Sequence, residues 1–140
     1  MVKTQSTADM LSSVDLFQNL SKRELTAIGR AGKEMNFAAD KVVVEEGTAG
    51  GRFYLILEGK AAVSTHGKAR QTLGAGDYFG EISLLDGGPR SASVVAVTPL
   101  KTFSLASFNF TPLLKEQPGL AVKMLQEMCR RLRAAEAVDE

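Results

Sequence analysis

The spacing of apolar positions changes twice along the chain. In "SKRELTAIGRAG", residues 21–32, Leu25 and Ile28 stand three apart among charged neighbours, as on one face of a short helix. Ser21 followed by Glu24 is a capping-box pattern at its start, and Gly32 supplies a stop. Upstream, "ADMLSSVDLF" predicts another short helix, and residues 1–6 are polar and expected to be loose. From Phe37 the texture turns to β: "KVVVEEG", "RFYLILEGKAAVST", "KARQTLGAGD", "SASVVAVTP" and "LKTFSLA" are short β-branched or aromatic runs punctuated by Gly, Pro or Asp. His66 and Gly67 fit a hairpin turn. Nothing between the runs is long enough for a helical crossover, so a small antiparallel sandwich or barrel is expected rather than a parallel βαβ sheet.

Helical spacing returns after Ser107. An interior proline costs a helix about 3 kcal/mol, so Pro112 is expected at the first helical position with Thr111 as its cap, and Pro118 at the start of the next helix. Leu120, Met124, Met128, Leu132 and Ala135 then follow at intervals of four, four, four and three, with Leu125 beside them. This is the stripe of a long amphipathic helix, expected to cover the open side of the β region or to face a twin helix. The pattern predicts one domain over 1–140: an N-terminal helical part (1–36), a β part (37–106), and a hinge with a C-terminal helix (107–140).

Composition narrows the function classes. A chain of 140 residues with 44% hydrophobic and 24% charged residues suits one globular domain. Seventeen basic residues against sixteen acidic ones give a net charge of +1, so no global field draws the protein to nucleic acid or anionic lipid. Four basic residues on the closing helix, Lys123, Arg130, Arg131 and Arg133, are offset by Glu127 and read as a solvated face rather than a membrane or calmodulin-type site. One cysteine, Cys129, and one histidine, His66, form no internal disulfide and supply too few ligands for a zinc or iron site. No Ser-His-Asp or Cys-His arrangement is evident, and a cupin-type metal enzyme would need clustered histidines. The protein is expected to be no enzyme and to need no cofactor. It has neither a signal-like N-terminus nor an apolar run of membrane length, and is expected in the cytoplasm.

One stretch carries the chemistry. In "YFGEISLLDGGPRSASV", Glu81 and Arg90 are separated by apolar residues sufficient for a helical turn and by a Gly-Gly-Pro corner that folds the segment back toward one pocket. A guanidinium holds phosphate oxygens in bidentate fashion, and the short helix with the small residues Ser91, Ala92 and Ser93 exposes amide donors to the same charge. An ionised Glu81 accepts from a hydroxyl and repels phosphate from its own end. A sugar and a phosphate together point to a nucleotide.

"FGEISLLDGGPRSASV", residues 79–94, closely resembles the phosphate-binding cassette of cyclic nucleotide-binding domains over sixteen consecutive positions. "LFQNLSKRELTAI" resembles the family's N-terminal helix and "EEGTAGGRFYLILEGKAAV" its central hairpin, so the resemblance covers roughly residues 10 to 135. It implies a mainly β jelly-roll, or β-roll, with N-terminal helices and a long C-terminal helix. It further implies that Glu81 accepts a ribose 2′-hydroxyl while Arg90 pairs with the exocyclic phosphate oxygens. Amides of Gly80, Ser91 and Ala92 would complete the cradle, with Ser83 touching the sugar-phosphate, Ile82 in the same ligand-binding set, and Leu73 and Val63 as walls. In the family, Thr at the position of Ser91 often favours cGMP and Ala accompanies cAMP in eukaryotic kinases. Bacterial regulators of the catabolite activator type carry Arg-Ser-Ala here and bind cAMP, so cAMP is favoured over cGMP.

The same regulators continue into a helix-turn-helix domain, for which no room is left before Glu140, so direct DNA binding is not expected. Where they set Thr and Ser against adenine, this sequence has Ala135 and Glu136, the latter read as a solvated residue. In the family the closing helix pairs two subunits, which makes a homodimer one expectation and an unidentified protein effector another. The leading expectation is a sensor that binds a cyclic purine nucleotide and relays it through the C-terminal helix. The competing one is a dimerisation module with a vestigial pocket, against which the retained Glu81 and Arg90 argue.

Overall fold

The computed structural model describes residues 7–138; residues 1–6, expected to be loose, lie outside the described residues. Eight antiparallel strands form two four-stranded sheets: β1 (Lys33–Phe37), β2 (Val42–Val44), β3 (Arg52–Glu58), β4 (Ala61–Thr65), β5 (Lys68–Leu73), β6 (Tyr78–Phe79), β7 (Ser93–Ala96) and β8 (Leu100–Ala106). One sheet has the order β1-β8-β3-β6 and the other β2-β7-β4-β5. Helices α1 (Thr7–Leu11) and α2 (Lys22–Ala31) precede the strands, α3 (Glu81–Asp86) interrupts them, and α4 (Ser107–Glu116) and α5 (Pro118–Val138) follow. This is the expected β-roll with flanking helices and a long C-terminal helix.

β3 explains why the roll and the helices share one core. In "FYLIL" the side chains alternate across a sheet that is covered on both faces, which is why the run has no polar break. Phe53 and Leu55 pack with Phe17, Leu25, Ile28, Phe110, Leu120 and Met124 on the helical side. Tyr54 and Ile56 pack with Val44, Leu73, Val94 and Leu100 between the sheets. Each such side chain, moved from water to the interior, contributes about 1.5–3 kcal/mol, so the helices are held chiefly by this sheet.

Local signals explain most element ends. Ser21 Oγ accepts from the Glu24 amide at 3.2 Å and Glu24 Oε1 from the Ser21 amide at 2.8 Å, closing the capping box on α2. Gly32 caps its end and Pro118 opens α5. His66 and Gly67 take φ of 54° and 76°, the double positive φ of the tight β4–β5 hairpin.

Five expectations need correcting. The N-terminal segment "ADMLSSVDLF" is not one helix but α1 followed by a 3-10 turn at Asp15–Phe17. β structure begins at Lys33, not Phe37, because "KEMNF" has apolar residues only at alternate positions and is held by full pairing with β8. The expected central hairpin is a corner between sheets: β3 and β4 belong to different sheets, and Gly59, at φ 101°, lies so close to the Pro99 carbonyl that a side chain would strike it. Pro112 sits inside α4 rather than at its start. Its missing N–H releases only the Phe108 carbonyl, and Phe108 is 86% exposed, so solvent serves that group. Finally, the apolar stripe of α5 is buried at Leu120 and Met124 but emerges at Leu132, which is 61% exposed.

Glu127, which offsets the basic residues of the closing helix, is buried, only 2% exposed. Its two carboxylate oxygens accept from Gln18 Nε2 at 3.0 Å each, and Oε2 also accepts from Arg130 Nε at 2.6 Å. Lys123 Nζ reaches Glu24 at 2.7 Å, a second tie between α5 and the N-terminal helices. The Arg130 and Lys123 hydrogen bonds hold the carboxyls of Glu127 and Glu24, respectively, below the usual carboxylate range. Their contribution is therefore complete above that range and is lost as the pH falls through the depressed values. Glu127→Ala, which leaves the Gln18 amide without its acceptor, is expected to cost about 2 kcal/mol in denaturant unfolding at neutral pH. The deficit should shrink as the protein is acidified; a deficit independent of pH would show that the carboxylate charge does not matter.

Candidate ligand-binding site

The corner from β6 through α3 to β7 is built by backbone constraints. Gly80 caps α3 at φ 87° and Gly87 ends it at φ 68°, conformations that side-chain-bearing residues rarely adopt. Ser83 Oγ donates to the Gly88 carbonyl at 3.1 Å, and Asp86 accepts from the Gly88 amide at 2.7 Å, fixing the turn. Arg90 is then pinned to the loop after β2: its amide donates to the Thr48 carbonyl and its own carbonyl accepts from the Gly47 amide. Ser93 Oγ accepts from the Glu46 amide, a structural role on the same loop.

Between this corner and the β4–β5 hairpin lies a cleft of about 760 Å³, a size suited to a small organic ligand. Gly80, Glu81, Ile82, Ser83, Arg90, Ser91, Ala92, Leu73 and Val63 all line it. Arg90 lies deepest among the charged groups, 8% exposed, and its Nη1 is buried with no hydrogen-bond partner. The guanidinium carbon lies 6.0 Å from the centre of the Tyr54 ring. Burial chiefly, with the charge of Arg52 adding to it and Tyr54 opposing, lowers the Arg90 pKa.

Glu81 takes the other end. Its carboxylate faces its own amide and that of Ile82, so it caps α3 where Gly80 has no side chain to do so. Burial raises its pKa despite the opposing charge of Arg131 on α5. Glu81 and Arg90 are not among the ion pairs of the described residues, so each charge meets the cleft separately. A buried cation with an open donor at one end and a desolvated acceptor at the other suits a ligand that carries both an anion and hydroxyls.

Sequence reasoning missed Thr65, Arg70 and Gln71, which line the hairpin side of the cleft. Gln71 lies two residues from Leu73, so period-two alternation would have nominated it. Arg70 had no such signal. The register slips from Val63↔Gln71 to Ser64↔Ala69, making Arg70 the extra residue of a bulge, a device that re-aims side chains. Ala135 and Glu136 are exposed on α5 and do not line the cleft.

The model of the cyclic nucleotide-binding domain matches residues 34–117. The chain belongs to the cyclic nucleotide-binding domain family. It is 36% identical over 112 residues to a cyclic nucleotide-gated potassium channel of Rhizobium etli, covering 80% of this chain and 31% of the channel. It is 40% identical over 107 residues to the cAMP-dependent protein kinase regulatory subunit of Eremothecium gossypii, covering 76% of this chain and 23% of that one. Among solved structures, the N-terminal domain of a transcriptional regulator from Streptomyces coelicolor A3(2) superposes with a TM-score of 0.86 at 29% identity, over 91% of this chain and 94% of that one. The chain thus spans less than a third of the length of the two curated relatives.

Gly80 tests the geometry of the corner. A Cβ there would strike the Arg52 carbonyl and come within 2.6 Å of Arg90 Nη1, on a backbone already at positive φ. Gly80→Ala is expected to cost about 2 kcal/mol of stability and to displace the Arg90 side chain. Denaturant unfolding and a crystal structure of the variant check the two effects; an unchanged Arg90 in a stable variant would contradict the crowding.

Proposed function

We propose that the protein is a cytoplasmic regulatory module that binds a cyclic purine nucleotide, cAMP in preference to cGMP, and relays binding through α5. The observation that carries the reading is the buried, unpartnered Nη1 of Arg90 at the floor of the cleft. A cyclic phosphate supplies the missing acceptor, and the amides at Gly80, Ser91 and Ala92 add donors to the same charge. Glu81 accepts from the ribose 2′-hydroxyl at the far end, while Ser83 and Ile82 flank the sugar and Leu73 and Val63 pack on it. The preference for cAMP rests on Ser91-Ala92 after Arg90 and on likeness to a cAMP-dependent regulatory subunit. No step of this role is catalytic.

The relay follows the packing. Leu84 of α3 is buried in the cluster that holds Phe110 of α4 and Leu120 and Met124 of α5. Closure of α3 on the ligand moves Leu84, and the hinge at 108–114 passes the movement to α5. The ligand shifts this equilibrium only by its difference in affinity for the two arrangements. Arg131, whose charge is felt at Glu81, is the group on α5 that would report occupancy of the cleft.

The competing reading, a pairing module with a vestigial pocket, draws on a second apolar line on α5. Val122, Leu125 and Leu132 are 52%, 65% and 61% exposed and share a heptad-like face with the exposed Cys129. That line fits a homodimer and is compatible with either reading. The vestigial pocket is disfavoured because an unpaired buried guanidinium is costly to keep.

Isothermal titration of nucleotide-free protein with cAMP and then cGMP decides between them. Binding at micromolar or tighter affinity, about 8 kcal/mol, with cAMP ahead and lost in Arg90→Ala, is the expected result. A folded, ligand-free protein that gives no heat with either nucleotide would leave the pairing module. The ribose contact predicts a pH dependence as well. Ligand hydroxyls favour ionised Glu81, so affinity should fall as the pH drops through its raised pKa, and Glu81→Gln should bind more weakly at neutral pH with a flattened profile.

A further inference from the structure

The polar side chains on the β4–β5 hairpin take no part in the phosphate and sugar contacts of the cleft. With an anion at Arg90 and a sugar at Glu81, the hairpin wall is left for the base, since no residue of α5 lines the cleft among the described residues. Thr65, Arg70 and Gln71 are its polar members. Gln71 stands directly opposite Val63, and Leu73 opposite Ala61, so the alternation of the strand keeps Gln71 on the same face as the apolar walls Val63 and Leu73. Arg70 is the unpaired residue of the bulge, and Thr65 sits at the end of the hairpin opposite Lys68. Gln71 is exposed, and among the described residues its side-chain amide has no hydrogen-bond partner. Its donor and its acceptor are both free for a ligand.

We propose that Gln71 selects the base: its side-chain carbonyl accepts from the 6-amino group of adenine, and its amide donates to N7. This rests on the reading of the cleft as a cyclic nucleotide site and names the residue that sets its purine preference. A primary amide sets an acceptor beside donors, which matches an edge that presents a donor beside an acceptor. Guanine presents two acceptors, O6 and N7, at the same edge, so one of the two contacts becomes acceptor against acceptor. A guanidinium has donors only and suits that guanine edge, which makes Arg70 the competing reader. Arg70 lacks a cross-strand partner, whereas Gln71 is held in register beside Val63. A side chain on a fixed backbone loses less freedom in making two directional bonds, which favours Gln71 and adenine.

Isothermal titration of the full chain with cAMP, cGMP and 7-deaza-cAMP, in which a C–H replaces N7, tests the assignment on wild type, Gln71→Leu and Arg70→Leu. Wild type is expected to bind cAMP about tenfold more tightly than cGMP and about fivefold more tightly than the 7-deaza analogue. In Gln71→Leu both ratios should fall to about twofold or less, while Arg70→Leu keeps them. Because the side chain is exposed, the unfolding midpoint of Gln71→Leu should match wild type, which separates base reading from loss of structure. Equal wild-type affinities for the three ligands, ratios that persist in Gln71→Leu, or ratios that collapse in Arg70→Leu instead would overturn the proposal and leave the nucleotide site standing. No heat from any of the three with wild-type protein removes the nucleotide reading, and this assignment with it.

Discussion

A guanidinium taken out of water without a counter-charge is the constraint around which this domain is arranged. Arg90 loses hydration and gains in return only the face of Tyr54 and the repulsion of Arg52. Such a group would leave its site if its backbone were free to move. The two main-chain bonds to Thr48 and Gly47, and the bare α-carbon of Gly80 beside Nη1, hold it in place. The folding energy that tolerates this charge comes from elsewhere, chiefly from the apolar side chains of β3 and β8. The cleft is therefore preorganised for an anion before one arrives, and its binding energy is not spent on assembling the site.

β3 links that constraint to the rest of the fold. Odd residues Phe53 and Leu55 hold the helices, while even residues Tyr54 and Ile56 fill the roll and Tyr54 meets Arg90. One strand thus connects the helical core and the charged pocket, with no long polar chain between them. Leu84 of α3 belongs to the helical core while its neighbours Ile82 and Ser83 line the cleft, so a shift of α3 of the kind proposed would reach that core directly.

Much of this was legible in the sequence, for identifiable reasons. The cassette was readable because its charges, glycines and apolar residues occur in one continuous stretch, so local order implies spatial order. The capping box and the His66-Gly67 turn were readable because each depends on neighbours a few residues apart. What escaped depended on long-range pairing. β1 exists because β8 is beside it, and Arg70 reaches the cleft through a register slip fixed by β4. The burial of Glu127 had no local signal, because its partner Gln18 is 109 residues away in sequence.

The two faces of α5 have different strengths, which bears on how it would transmit a signal. Its inner face begins with Leu120 and Met124, well packed, passes through Glu127 with its hydrogen bonds, and then loosens at the half-buried Met128. Apolar packing alone would let a helix slide or roll by small steps at little cost, because dispersion contacts are numerous and non-directional. The carboxylate of Glu127 removes that freedom at one point, since a charged group with directional partners tolerates little displacement. The helix is therefore anchored at its middle against the N-terminal helices. On the proposed relay, movement reaching it from α3 and α4 would either break that anchor or swing the segment beyond it, where the charge of Arg131 is felt at Glu81 and Leu132 is exposed. Breaking it would cost the Gln18 bonds and leave the buried carboxylate only Arg130 on its own helix, so on the proposed relay the lower-energy response would be the swing.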